Sequence, residues 1–213
     1  MPGSDLTERE ARTAAAIDAA NEDDPDRIDV DGESRPLQQS LGRAAAEWVD
    51  RLDPDARPAQ RLAARAHHLR RWERPRSDYP EGRAGYLRWR RDAKARHAAD
   101  VAALLRADGW DDATVEEAQR LVRKEGLGSV PAVQVHEDAV CLAFLALQLD
   151  SAAEVMGDDK TVDVLRRTAA KMSPEALAHA AALPYSPRGR ALLEVALRSE
   201  PEPEPGPAAG SAR

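Results

Sequence analysis

The sequence offers little of what usually marks a function. Among 213 residues there are one cysteine, four tryptophans, three tyrosines and one phenylalanine. A lone Cys141 excludes a disulfide within the chain and suggests a reducing compartment. No uninterrupted apolar run reaches the roughly 18 residues of a membrane span. The opening MPGSDLTERE lacks the basic-then-apolar order of a signal peptide. The expectation is a cytoplasmic protein that does not enter a membrane. There is no GxxxxGK[ST] phosphate loop, no GxGxxG after a strand, no paired-cysteine metal motif and no GxSxG turn. Cys141 sits in an apolar stretch and reads as core packing.

Positive charge is also scarce overall, with 31 Lys+Arg against 38 Asp+Glu and a net charge of −7. Long polyanions need a positive surface, so the composition argues against nucleic acid as a partner. The distribution refines this. Residues 1–60 carry a net −8, residues 61–97 a net +8 and residues 98–213 a net −7. A compact Arg-rich segment thus lies between acidic flanks. It reads either as a solvated helix face or as a site for one small phosphorylated or anionic ligand, because guanidinium pairs bidentately with phosphate and carboxylate.

Helical signals dominate the chain. A first helix is expected from a cap at Ser4 or Asp5 to a stop at Pro25, followed by at most one short strand in RIDVD. LQQSLGRAAAEWVDRL places Leu37, Leu41, Ala45, Trp48 and Leu52 near helical spacing. A third helix is expected over Asp55–Glu73, ended by Arg74-Pro75, and a fourth over Gly85–Gly109. A fifth is expected from Asp111 or Asp112 to Gly126, and a sixth, the most apolar, from His136. Three shorter helices follow, two of them opened by Ser173-Pro174 and Ser186-Pro187. The expected architecture is all-α, a single domain of eight or nine helices over residues 1–199. The Pro/Glu-rich residues 200–213 are expected to be disordered.

Ionisable residues on apolar stripes are the informative ones, since burial is costly without a partner or a metal. On the fourth helix Tyr86, Ala93, His97, Val101 and Leu104 share a stripe. On the sixth, Asp138 shares one with Cys141, Leu142, Leu145 and Leu149, while Glu137 lies to the side. On the third, His68 flanks the Leu62, Ala66 and Leu69 line, and His67 projects further outward. Structural alternatives stand beside each: core packing for the histidines, a first-turn acid for Asp138. Together, His68, His97 and Asp138 form a candidate ligand set for a divalent Mn, Fe, Ni, Co or Zn ion.

LAARAHHLRRW and HEDAVCLAFL resemble the doublet helix and the distal-Asp helix of the HD-domain phosphohydrolases, with RHAADVAALLRADGW resembling the helix between them. Leu69 occupies the doublet's Asp position, and no histidine precedes His67. A closer resemblance, over roughly residues 14–198, is to the family catalogued as domain of unknown function 4202. It rests on IDAANEDDP, LDPDA, LAARAHHLRRWERPRSDYPEGRAGYLRWR, HEDAVCLAFL and Lys171 to Pro174. The HD resemblance implies an HD-like fold and a metal-dependent phosphoester hydrolase. In that reading His97 or Glu137 manages the proton, and Arg71, Arg74, Arg83, Tyr86, Trp89 and Arg90 hold a phosphorylated or nucleotide-like metabolite, with Trp72 a further stacking surface. The same arrangement without a metal makes a noncatalytic binder of a small anionic ligand or nucleotide. Lys171-Met172-Ser173 also resembles the start of a class I synthetase signature, but the sequence lacks the strands that such a signature adjoins, and Ser173-Pro174 reads as a helix cap.

Overall fold

A computed structural model describes residues 2–30 and 32–198, with side chains from residue 7 onward. The expected disordered tail lies outside the described residues. Those described form an all-α domain. Helix α1 (Pro2–Ala20) leads into a short hairpin of β1 (Arg27–Val30) and β2 (Glu33–Pro36), followed by α2 (Leu37–Leu52) and α3 (Pro58–Arg65). After two single 3-10 turns come α4 (Gly82–Ala107), α5 (Asp112–Arg123), α6 (Pro131–Met156), α7 (Asp158–Ala169), α8 (Pro174–Ala182) and α9 (Pro187–Arg198).

Local chemistry sets many of these limits. Helix α2 has the span its stripe implies, and buries Leu41, Ala45, Trp48 and Val49. Asp111 and Ser173 cap α5 and α8 by accepting from Thr114 N and Ala176 N. At the start of α9, Ser186 Oγ accepts from Gly189 N at 3.0 Å. Gly109 and Gly157, with φ of +77° and +80°, take the left-handed backbone that lets the chain turn after α4 and α6.

Three expectations need correction. The single strand is one half of an antiparallel pair, with Arg27 opposite Pro36 and Val30 opposite Glu33. ESRP shows no alternation of apolar residues, and its pairing is stabilised by backbone bonds and by Arg27 Nη2 donating to Ser34 O at 2.9 Å. The third helix ends at Arg65, not at Glu73. Residues 66–70 turn instead, and Arg70 takes a left-handed φ of 50°, held by its N–H donating to Asn21 Oδ1 at 2.9 Å and its carbonyl accepting from Arg96 Nη2 at 3.0 Å. The sixth helix starts at Pro131, five residues early, because proline suits the first helical position.

Two apolar cores organise the helices. One gathers α2, α6, α7, α8 and α9 around Leu142, Leu145, Leu149 and Leu165; the other joins α1, α3, α4 and α5 around Ile17, Leu62, Leu105 and Leu121. Among the described helices, α6 alone is long and apolar enough to cross a membrane, with a mean hydropathy of 1.6 over its most apolar window. It contacts α2, α3, α5, α7, α8 and α9 and buries Glu137 and Asp138, which is the behaviour of a core helix. Asp18 ties α1 to its neighbours: its carboxylate takes both Arg65 Nε and Nη2, at 2.8 and 2.7 Å, and Arg43 Nη2 at 2.7 Å.

Helices α2 and α3 approach closely at Gly42, where a Cβ would lie 2.2 Å from the Arg65 carbonyl oxygen. Backbone cannot yield as a flexible side chain does. Gly42→Ala is expected to lower the unfolding free energy by about 2–3 kcal/mol, the upper part of the usual overpacking range, as measured by urea denaturation. Gly32→Ala, where a Cβ meets open space at φ +81°, should cost only about 1 kcal/mol of backbone strain.

Candidate functional site

The break after Arg65 decides how the histidine segment is presented. A continuous helix would turn His67 outward; the turn at residues 66–70 carries it inward to 7% exposure, correcting the expectation. His67 Nδ1 donates to Ala64 O at 2.8 Å. His68 is half-buried, with Nδ1 donating to Gln38 Oε1 at 3.1 Å, and its ring centroid lies 4.2 Å from that of His67. From α4, His97 is buried as its stripe implied, and its Nδ1 donates to Leu69 O at 2.8 Å. The His68 and His97 centroids are 5.9 Å apart.

These three imidazoles share a cavity of about 860 Å³ with cations from several elements. Arg71 follows the turn, Arg90 and Lys94 stand on α4, Lys124 ends α5, Arg167 lies on α7 and Lys171 precedes α8. Tyr86, Trp89 and Phe144 supply its aromatic wall. The Arg71 guanidinium lies 4.7 Å from the Trp89 ring centroid and that of Arg90 lies 5.7 Å from Tyr86, within cation–π range. Trp89 Nε1 donates to Arg74 O at 3.1 Å, which fixes the indole at the rim.

Electrostatics follow from burial and like charge. Burial pushes the His67 imidazole down to about 3, against the opposing pull of the Ala64 carbonyl, and Lys124, His97 and Arg71 push the same way as burial. Burial and then Arg96 lower His97 to about 4. His68 is lowered for the same reason, with His67 and Arg71 adding to burial. Lys94 is also lowered, first by burial and then by Lys124 and Arg90. The histidines are therefore neutral near pH 7.

Behind the cavity lies Glu137, 2% exposed. Burial alone would raise its carboxyl, but Lys124 and Lys171 outweigh that and hold it down to about 2. It forms ion pairs with Lys124 and, at 3.1 Å, with Lys171. Cys141 Sγ approaches Glu137 Oε1 at 3.8 Å, and burial pushes the thiol up to about 12, which disfavours the thiolate. Beside Glu137, His136 is 1% exposed with no hydrogen-bond partner at either ring nitrogen.

The expected site residues divide clearly. His68, His97, Arg71, Tyr86, Trp89 and Arg90 do line one cavity, although Tyr86 is 42% exposed at its rim and does not face the core as its stripe suggested. Arg74, Arg83 and Trp72 do not line it. Asp138 is buried but turned to other work: its Oδ1 accepts from Ser173 N at 2.9 Å and Gln134 Nε2 at 3.0 Å, joining α6 to the start of α8. Among the described residues no three His, Cys, Asp or Glu side chains converge as ligands for one ion, so the His68, His97 and Asp138 set is not gathered. Lys94, Lys124, Arg167 and Lys171 were missed, since each reads in sequence as an ordinary solvated cation. Lys94 carried a signal as part of the basic segment 61–97, and Lys171 as part of the Lys-Met-Ser-Pro stretch.

The class defined so far is an all-α domain with a cationic, histidine-lined cavity. The chain belongs to the family described as domain of unknown function (DUF4202), whose model matches residues 11–193. No curated protein and no solved structure matches it.

Two outcomes follow. His67 and His97 have folded values of about 3 and 4 against an ordinary 6.5, and Glu137 about 2 against 4.5. In each case the unfolded chain binds the proton first, so their stabilising effect is complete above about pH 6.5 and is lost progressively as pH falls towards 3. Urea midpoints should fall steadily across that window, and midpoints independent of pH between 7 and 4 would contradict it. Glu137→Gln leaves two lysines without their counter-charge and should cost about 3 kcal/mol, the low end of the range for a broken buried pair because both lysines keep access to water.

Proposed function

We propose that the protein binds one small phosphorylated metabolite in this cavity, without metal-assisted chemistry. The observation that carries this reading is the lining itself. Six Lys and Arg side chains face a space of about 860 Å³, and no carboxylate lines it among the described residues, in a chain whose net charge is −7. Concentrating cations costs folding energy through mutual repulsion, and a bound anion relieves it. Glu137 offsets Lys124 and Lys171 only in part, from behind. The size suits a metabolite, and the acidic remainder of the chain disfavours a long polyanion.

Hydrolysis of the HD-like type is the less supported of the two readings. It needs carboxylate and imidazole ligands around one point, whereas Asp138 is engaged with Ser173 and Gln134. Glu137, the other carboxylate at hand, is held ionised between two ammonium groups and is poorly placed to carry a proton.

Calorimetric titration with pyrophosphate tests the binding reading. One site per chain is expected, with affinity that falls as salt rises. Arg90→Ala and Lys94→Ala should each weaken it by roughly tenfold or more, the worth of a charge-assisted hydrogen bond. Absence of binding at low salt, or full affinity in both variants, would sink the proposal.

A further inference from the structure

Cations account for the anionic part of a ligand but not for the histidines. His67 and His97 each spend Nδ1–H on a backbone carbonyl, Ala64 O and Leu69 O, both at 2.8 Å. A carbonyl only accepts, so the proton of each neutral ring must sit on Nδ1, and Nε2 on the opposite edge is a bare lone pair. Both rings line the cavity; His97 Nε2 has no partner in the protein and is closed to solvent, so a ligand hydroxyl reaches it only as neighbouring side chains shift. An unpaired buried acceptor is costly, which makes a donor on the ligand the natural complement.

We infer that the ligand is a phosphorylated polyol, whose phosphate meets the cations while its hydroxyl groups donate to Nε2 of His67 and His97. This rests on the anion reading above. The donor cannot be the phosphate's own proton, because six surrounding cations favour its fully ionised form. Nor does an aromatic base suit the wall as well as a sugar does. Arg71 and Arg90 already lie over Trp89 and Tyr86, taking up ring faces that a base would stack on. Hydroxyl groups meet the remaining need with their own donors, and protonating either ring to make it a donor is opposed by burial and by the neighbouring Arg71 and Arg96.

The test is calorimetric titration of the full chain with glycerol 3-phosphate, ribose 5-phosphate and glucose 6-phosphate against propyl phosphate, which has the ester but no hydroxyl. The best polyol phosphate should bind roughly tenfold or more tighter than propyl phosphate, as two added hydrogen bonds imply. His97→Phe and His67→Phe should bring that ratio towards one. If propyl phosphate and all three polyol phosphates bind equally to the unaltered protein, the hydroxyl inference fails and the anion site stands. If no phosphate ester binds, the anion site fails and this inference with it. The comparison on the unaltered protein holds whether or not the histidine variants fold.

Discussion

Glu137 is the residue on which the site depends. A carboxylate at 2% exposure is tolerated only because two ammonium groups reach it, and those groups come from different elements, one at the end of α5 and one before α8. The same pairing that makes the acid affordable in the core of α6 draws Lys124 and Lys171 to the cavity wall. Core stability and the positive charge of the cavity wall are thus two aspects of one arrangement. Each lysine retains positive potential towards the cavity because the acid is shared.

The other acid on this turn of α6 shows how position alone misleads. Asp138 points inward as its stripe requires, yet its partners are a backbone N–H and an amide, and its effect is to seat the start of α8. Neighbours in sequence, Glu137 and Asp138 have divided the labour between charge and connection. His136 completes the row with no partner at all among protein atoms.

Much of the scaffold was legible because its signals are local. Helix α2 is bounded by Pro36 and Asp53-Pro54 and striped throughout, and Asp111, Ser173 and Ser186 open their helices as caps should. Where tertiary contacts override propensity, the reading failed. The segment after Arg65 is rich in helix formers, and what turns it is the grip of Asn21 and Arg96 on Arg70, both far away in sequence. That turn reversed the expected orientation of His67. The second strand was invisible because ESRP is stabilised by pairing and not by pattern. For the cavity, residues 61–97 supplied His68, His97, Arg71 and Arg90 through charge and spacing. Lys124, Arg167 and Lys171 could not be found in that way, since only the folded chain brings them across to α4.

Lys124 closes α5 in the left-handed conformation, φ 58°, a place where glycine would be at ease and a side chain costs about 1 kcal/mol. The backbone would prefer no side chain there, whereas the buried acid requires an ammonium. The residue is therefore chosen against the local preference of the chain. The same bend that strains it also fixes the direction from which its charge arrives, so the cavity wall is shaped by a helix end that cannot relax without withdrawing that charge.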